Sequence, residues 1–88
     1  MDEAIVSAQV AIYPLGQEHL TPAIQAVTAA LEARGLHPEV GLMSTQVSGG
    51  AESLFAALGE GFARAAATGR VVMTITVSNA CPVAAGPL

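Results

Sequence analysis

The chain has 88 residues, which makes one domain with a modest core. Apolar residues are 52% and aromatic ones 3%, so the core is aliphatic, with Phe55 and Phe62 expected as its bulkiest members. Charged residues are 11%, against about 25% in an average soluble protein, too few to coat a monomer; the net charge of -4, with no lysine, excludes a basic nucleic-acid surface.

Ala4 to Tyr13 alternates, with Val6, Ala8, Val10 and Ile12 on one side and Ser7, Gln9, Ala11 and Tyr13 on the other. This predicts a strand with one buried face, ended by Pro14 to Gly16. Leu20, Ile24, Val27 and Leu31 then draw one apolar helical stripe. Thr21 is placed as N-cap with Pro22 at the first helical position, and Arg34-Gly35 as the stop. Pro38 to Met43 reads as a second strand, with Val40 and Leu42 on one face. "STQVSG" either continues it or opens a third strand after a tight bend. A second helix follows Gly50, with a stripe of Leu54, Phe55, Leu58, Phe62 and Ala65 or Ala66. Gly59 and Gly61 weaken it by about 1 kcal/mol each relative to Ala, unless a close neighbour compensates. Gly69 ends it. Val71 to Ser78 is the last strand, alternating Val71, Met73, Ile75 and Val77 with Val72, Thr74, Thr76 and Ser78.

The order βαββαβ predicts an α+β fold of the ferredoxin-like kind, a four-stranded antiparallel sheet with two helices on one face, spanning residues 1–88 as a single domain. The sheet face away from the helices is then the informative one. A monomer would place Lys, Glu and Arg there, yet Ser7, Gln9, Tyr13, Thr74, Thr76 and Ser78 carry no charge. Such a face packs on a second subunit, as a homodimer or homotetramer, or lines a polar pocket.

Catalytic signatures are few. His19 and His37 have no metal-ligand spacing and read as surface residues. "SGG" before the second helix offers amides to an anion but lacks the lysine of a phosphate loop. Cys81 has no basic residue within ten positions to activate it and reads as structural. A lone cysteine fits a reducing compartment, the acidic start reads against a signal peptide, and no apolar run approaches the ~20 residues of a membrane helix. Asn79 either caps its own backbone or faces a ligand.

"STQVSG" with an "LFAAL…F" helix and then "ATGRVVMTITVSNACPV" resembles the thiamin-binding YkoF family, over about Val6 to Val83. It is more distantly similar to small single-domain thiamine-binding proteins. The motif positions are Ser44, Thr45, Val47 and Gly49, then Val71, Val72, Met73, Thr76, Ser78, Asn79, Cys81 and Pro82, with Tyr13-Pro14 also fitting. Arg70 stands where the family usually has a histidine, and Val83 where it usually has a glycine. The resemblance implies binding rather than catalysis: thiamin or its hydroxymethylpyrimidine half as bound ligand, no further cofactor, and a role in uptake or salvage of vitamin B1. Related chains carry two such domains in tandem, so a homodimer or homotetramer would rebuild that arrangement.

An aminopyrimidine edge needs uncharged hydroxyl and amide partners, and Ser44, Thr45, Gln46, Ser78 and Asn79 supply them. Tyr13 or Met43 packs on the ring face, and Glu39 suits a thiazolium cation. The expectation is a cytoplasmic, non-enzymatic binding protein without nucleic-acid or membrane partners. The alternative is an oligomerising or effector-sensing regulatory module that binds no thiamin.

Overall fold

The computed structural model describes residues 4–16 and 19–80. The elements are β1 (Ile5–Pro14), α1 (Thr21–Ala33), β2 (Glu39–Val40), β3 (Thr45–Gly50), α2 (Ala51–Ala66) and β4 (Val71–Ser78). All neighbours pair antiparallel, in the order β2-β3-β1-β4. This is the ferredoxin-like arrangement expected from the element order, with both helices over one face.

The alternation in β1 sorts the sheet as expected. Val6, Ala8, Val10 and Val47 are buried beneath the helices, joined by Val27, Leu31, Leu54 and Leu58. The helix faces, however, are set by small residues. In α1 the buried positions are Ala23, Val27, Ala30 and Leu31, while Leu20 is exposed. In α2 they are Leu54, Ala57, Leu58, Gly61 and Ala65. Phe55 and Phe62, expected in the core, are 54% and 41% exposed. The close approach of the helices explains this. A Cβ on Gly61 would lie 3.0 Å from Val27 Cα and 3.4 Å from Ala30 Cβ, so the contact between helices has room only for glycine and alanine.

The entry to α1 also differs from expectation. Leu20 is the N-cap and Thr21 is already helical, with no side-chain cap, although Pro22 keeps its place in the first turn. The exit agrees. Gly35 takes φ +77, its amide donates to the Glu32 carbonyl at 2.9 Å, and the Leu36 amide donates to the Leu31 carbonyl at 3.1 Å. This is a Schellman turn, and its usual companion, an apolar contact at the far end, follows. Leu36 is turned into the core, where a Cβ on Gly49 would collide with its Cδ2. A side chain at Gly49 would oblige the end of the Leu36 side chain to turn aside. Gly50, extended at φ -63 and ψ 138, makes the step into α2.

The second strand is shorter than expected. Only Glu39 and Val40 pair, and Gly41 to Ser44 form a turn closed by the Gly41 amide donating to the Ser44 carbonyl at 2.8 Å. "STQVSG" opens a third strand after a bend, and Leu42 and Met43 stand exposed at the tip.

Candidate functional site: a polar row on the open sheet face

Register places the open face residue by residue. Ser7 lies between Ser48 and Ser78, and Gln9 between Gln46 and Thr76. Ala11 then faces Thr74, and Tyr13 faces Val72. Glu39 continues the glutamine row on the far side of Gln46. The face thus carries rungs of hydroxyls and amides, with one carboxylate at its margin.

A shallow concavity of ≈ 380 Å³ lies over this area, its polar lining Ser7, Gln9, Gln46, Ser48, Thr76 and Ser78. Ser7 and Ser48 share a hydrogen bond of 2.9 Å between their hydroxyls, which sets one wall. The Ser78 hydroxyl accepts from the Ala80 amide at 2.9 Å and so closes the turn after β4. The backbone cap is made by Ser78 and not by Asn79, whose exposed amide has no hydrogen-bond partner among the described residues. Gln9 and Gln46 point out of the sheet, exposed, and their amides have no hydrogen-bond partner among the described residues.

The expected site residues do not converge. Gln46 and Ser78 line the concavity. Ser44, Thr45, Met43 and Tyr13 border a second hollow of ≈ 240 Å³, between the end of β1, the start of α1 and the β2–β3 turn. That hollow is walled mainly by Ile12, Leu20, Ile24, Val40 and Leu42. Thr45 is buried on the helix side of the sheet, opposite Val10, so it cannot serve the open face. Asn79 follows Ser78 at the end of the sheet opposite Tyr13: six residues of β1 separate the two rungs, about 20 Å. One small molecule on one copy does not bridge them.

Ser48 is the lining residue that sequence reasoning missed. Its signal was the alternation of β3, which places Gln46, Ser48 and Gly50 on one face. Ser7, Gln9 and Thr76 were legible as outward positions but not as a site. Of the two glycine amides proposed for an anion, that of Gly49 lies in the β1–β3 ladder opposite Val6, and the next amide along, that of Ala51, donates to the Ala4 carbonyl at 2.8 Å. His19 and His37 are exposed, as expected. Cys81 lies outside the described residues. No group of three or more His, Cys, Asp or Glu that could hold a metal occurs among the described residues, and no helix there is long and apolar enough to cross a membrane.

The architecture is that of a small ferredoxin-like α+β domain, and its open sheet face carries hydroxyl and amide groups with Glu39 at the margin. Residues 5–84 match the YKOF-related family, and the chain belongs to it. No curated protein matches. Among solved structures, hypothetical protein MJ1052 from Methanocaldococcus jannascii is similar, with TM-score 0.78 and 22% identity over 85% of this chain and 79% of that one. SP2199 from Streptococcus pneumoniae aligns with TM-score 0.77 and 19% identity over 93% and 92%. A Thermotoga maritima protein (TM0486), named "putative thiamine biosynthesis/salvage protein", aligns with TM-score 0.72 and 20% identity over 83% and 81%. At these identities the likeness speaks to the fold alone.

Proposed function

We propose that this chain binds thiamin or its hydroxymethylpyrimidine half on the open sheet face, without catalysis, in vitamin uptake or salvage in the cytoplasm. The observation that carries the reading is the row Gln46, Gln9 and Thr76, which lies beside the serine rung in one concavity, with Glu39 paired to Gln46 just outside it. Glutamine amides both donate and accept, as an aminopyrimidine edge requires. Glu39 supplies the one negative charge at the margin, where a thiazolium cation would reach. Membership of the YKOF-related family and the name of the Thermotoga maritima relative support this ligand class. The six polar groups of the concavity do not titrate near neutral pH, and acid–base catalysis needs a group that does. The same face serves as the contact between copies, in a homodimer or homotetramer.

Isothermal titration with thiamin and with hydroxymethylpyrimidine tests the reading. Saturable heat is expected, weakened about tenfold in Gln9→Ala or Gln46→Ala, the equivalent of one lost hydrogen bond near 1.4 kcal/mol. Folded protein that gives no heat at millimolar ligand overturns it. An oligomer silent to both ligands would favour the interaction-module reading instead.

A further inference from the structure

A further hollow lies beside β2, on the other side of Gln46. It measures ≈ 320 Å³ and is lined by Glu39, Val40, Gly41, Leu42, Ser44 and Gln46. Gln46 therefore borders both this hollow and the concavity over Gln9 and Thr76. Alternation puts Ser44, Gln46 and Ser48 on one face of β3, and the Glu39–Gln46 pair sets Glu39 beside them. The two spaces thus adjoin on the open face. They differ in charge. Hydroxyls and amides supply the polar groups of the concavity, whereas Glu39 is the one charged residue among the described residues lining either space. It is exposed on a two-residue edge strand.

The placement of the cations is a second, independent observation. The chain has three cationic side chains besides its histidines, Arg34, Arg64 and Arg70, and no lysine. Arg34 and Arg64 both pair with Glu60 on the helix layer. Arg70 precedes β4, six positions from Thr76 and so about 20 Å away along the strand. The start of α2 offers no substitute, because the Ala51 amide donates to the Ala4 carbonyl and Glu52 brings a carboxylate into the first turn. A phosphate ester is held by charge-assisted hydrogen bonds from arginine, lysine or free helix amides. On the open face it would meet none of these, and it would meet Glu39.

We propose, building on ligand binding at the open face, that the hollow beside Glu39 is a subsite for a cationic ring and that Glu39 selects the ligand by its charge. The neutral aminopyrimidine lies over Gln9 and Thr76. The positively charged ring lies over Gln46 toward Glu39, which stands two strand spacings from Gln9, about 10 Å. Two aromatic rings joined by one methylene span that distance. The hydroxyethyl arm, at the far end of the cationic ring, then lies by the carboxylate. A phosphate on that arm sets like charges side by side with no cation to offset them. The site therefore takes the free alcohol and turns away its phosphate esters.

Calorimetric titration of the full chain with thiamin, hydroxymethylpyrimidine and thiamin diphosphate tests this. It is run at pH 8, above the range in which an imidazole charges, because His37 lies two residues ahead of Glu39. The wild-type chain should bind the diphosphate at least about tenfold more weakly than thiamin. Glu39→Gln, with circular dichroism unchanged, should weaken thiamin about two- to fivefold relative to hydroxymethylpyrimidine, the range of one exposed ion pair. Glu39→Arg should weaken thiamin further and tighten the diphosphate. Added salt should weaken thiamin in the wild-type chain more than in Glu39→Gln. Diphosphate that binds as tightly as thiamin overturns the proposal and leaves the open-face reading standing. So does a Glu39→Gln chain that loses thiamin and hydroxymethylpyrimidine equally, or neither. Folded protein silent to both of those ligands overturns the proposal and the open-face reading together.

Discussion

The two glycines inside α2 make opposite predictions when each becomes alanine. A glycine in a helix interior costs about 1 kcal/mol relative to alanine. At Gly59 an added Cβ meets nothing within 4 Å. Gly59→Ala should therefore return the whole amount, a gain of about 1 kcal/mol or ~4–8 °C in Tm for a domain of this size. At Gly61 the added Cβ would sit 3.0 Å from the Cα of Val27, which is backbone and does not swing aside. α1 must move off by a few tenths of an ångström, and overpacking of this kind costs about 1–3 kcal/mol. The propensity gain offsets only part of that, so Gly61→Ala should fall between neutral and about 2 kcal/mol destabilised. Urea or thermal unfolding followed by far-UV circular dichroism reads both, at one fixed protein concentration because association adds to apparent stability. Equal stabilisation by the two substitutions would refute the close helix contact as the reason for Gly61.

Gly35→Ala forces an L side chain into φ +77 and should cost about 1–2 kcal/mol, seen as a lower urea midpoint at unchanged slope. Leu31→Ala, at a fully buried position, should cost about 2–5 kcal/mol by the same measurement. Glu60 bridges Arg64 at 2.8 Å and Arg34 at 3.7 Å, but all three side chains are well exposed, so Glu60→Gln should cost under about 1 kcal/mol and less at high salt. Replacing both Gln9 and Gln46 with valine should silence calorimetric binding of thiamin and hydroxymethylpyrimidine while the light-scattering mass is kept; loss of the assembly with binding retained would count against the proposed site.

The strands and their faces were legible because alternation is a local signal. Val6, Ala8 and Val10 declare the inner side of β1, and every paired position of the sheet inherits its side from them. The helix faces were harder to read. A periodic stripe of large residues predicted Leu20, Phe55 and Phe62 inside, but the helices approach through Gly61, Val27 and Ala30, which rotates the buried arc toward alanines. Alanine carries no periodic signal in a chain so rich in it. The site was legible as a set of groups and not as a place. Ser44, Thr45 and Gln46 are adjacent in sequence, yet pleating sends Thr45 to the helix side and Gln46 to the open face. Adjacency in a strand means opposite faces, so a contiguous motif there cannot be one contact surface.

That separation bears on how the proposed ligand and a second copy would share the open face. When two sheets pack face to face, their side chains interdigitate into a core, and core positions left polar need partners. Each glutamine amide brings two donors and an acceptor, and an unsatisfied buried group costs about 1–3 kcal/mol. A dry contact over Gln9, Gln46 and Thr76 would leave several such groups unpaired, whereas Ser7 and Ser48 already satisfy each other in part. The serine rung and the flanking Tyr13 and Val72 are thus suited to meet a second copy, and the glutamine row is suited to keep a polar guest between the sheets. On this account the ligand completes the interface: its hydrogen bonds replace those that closure would break. Binding and face-to-face association should then strengthen one another, because each removes the other's cost.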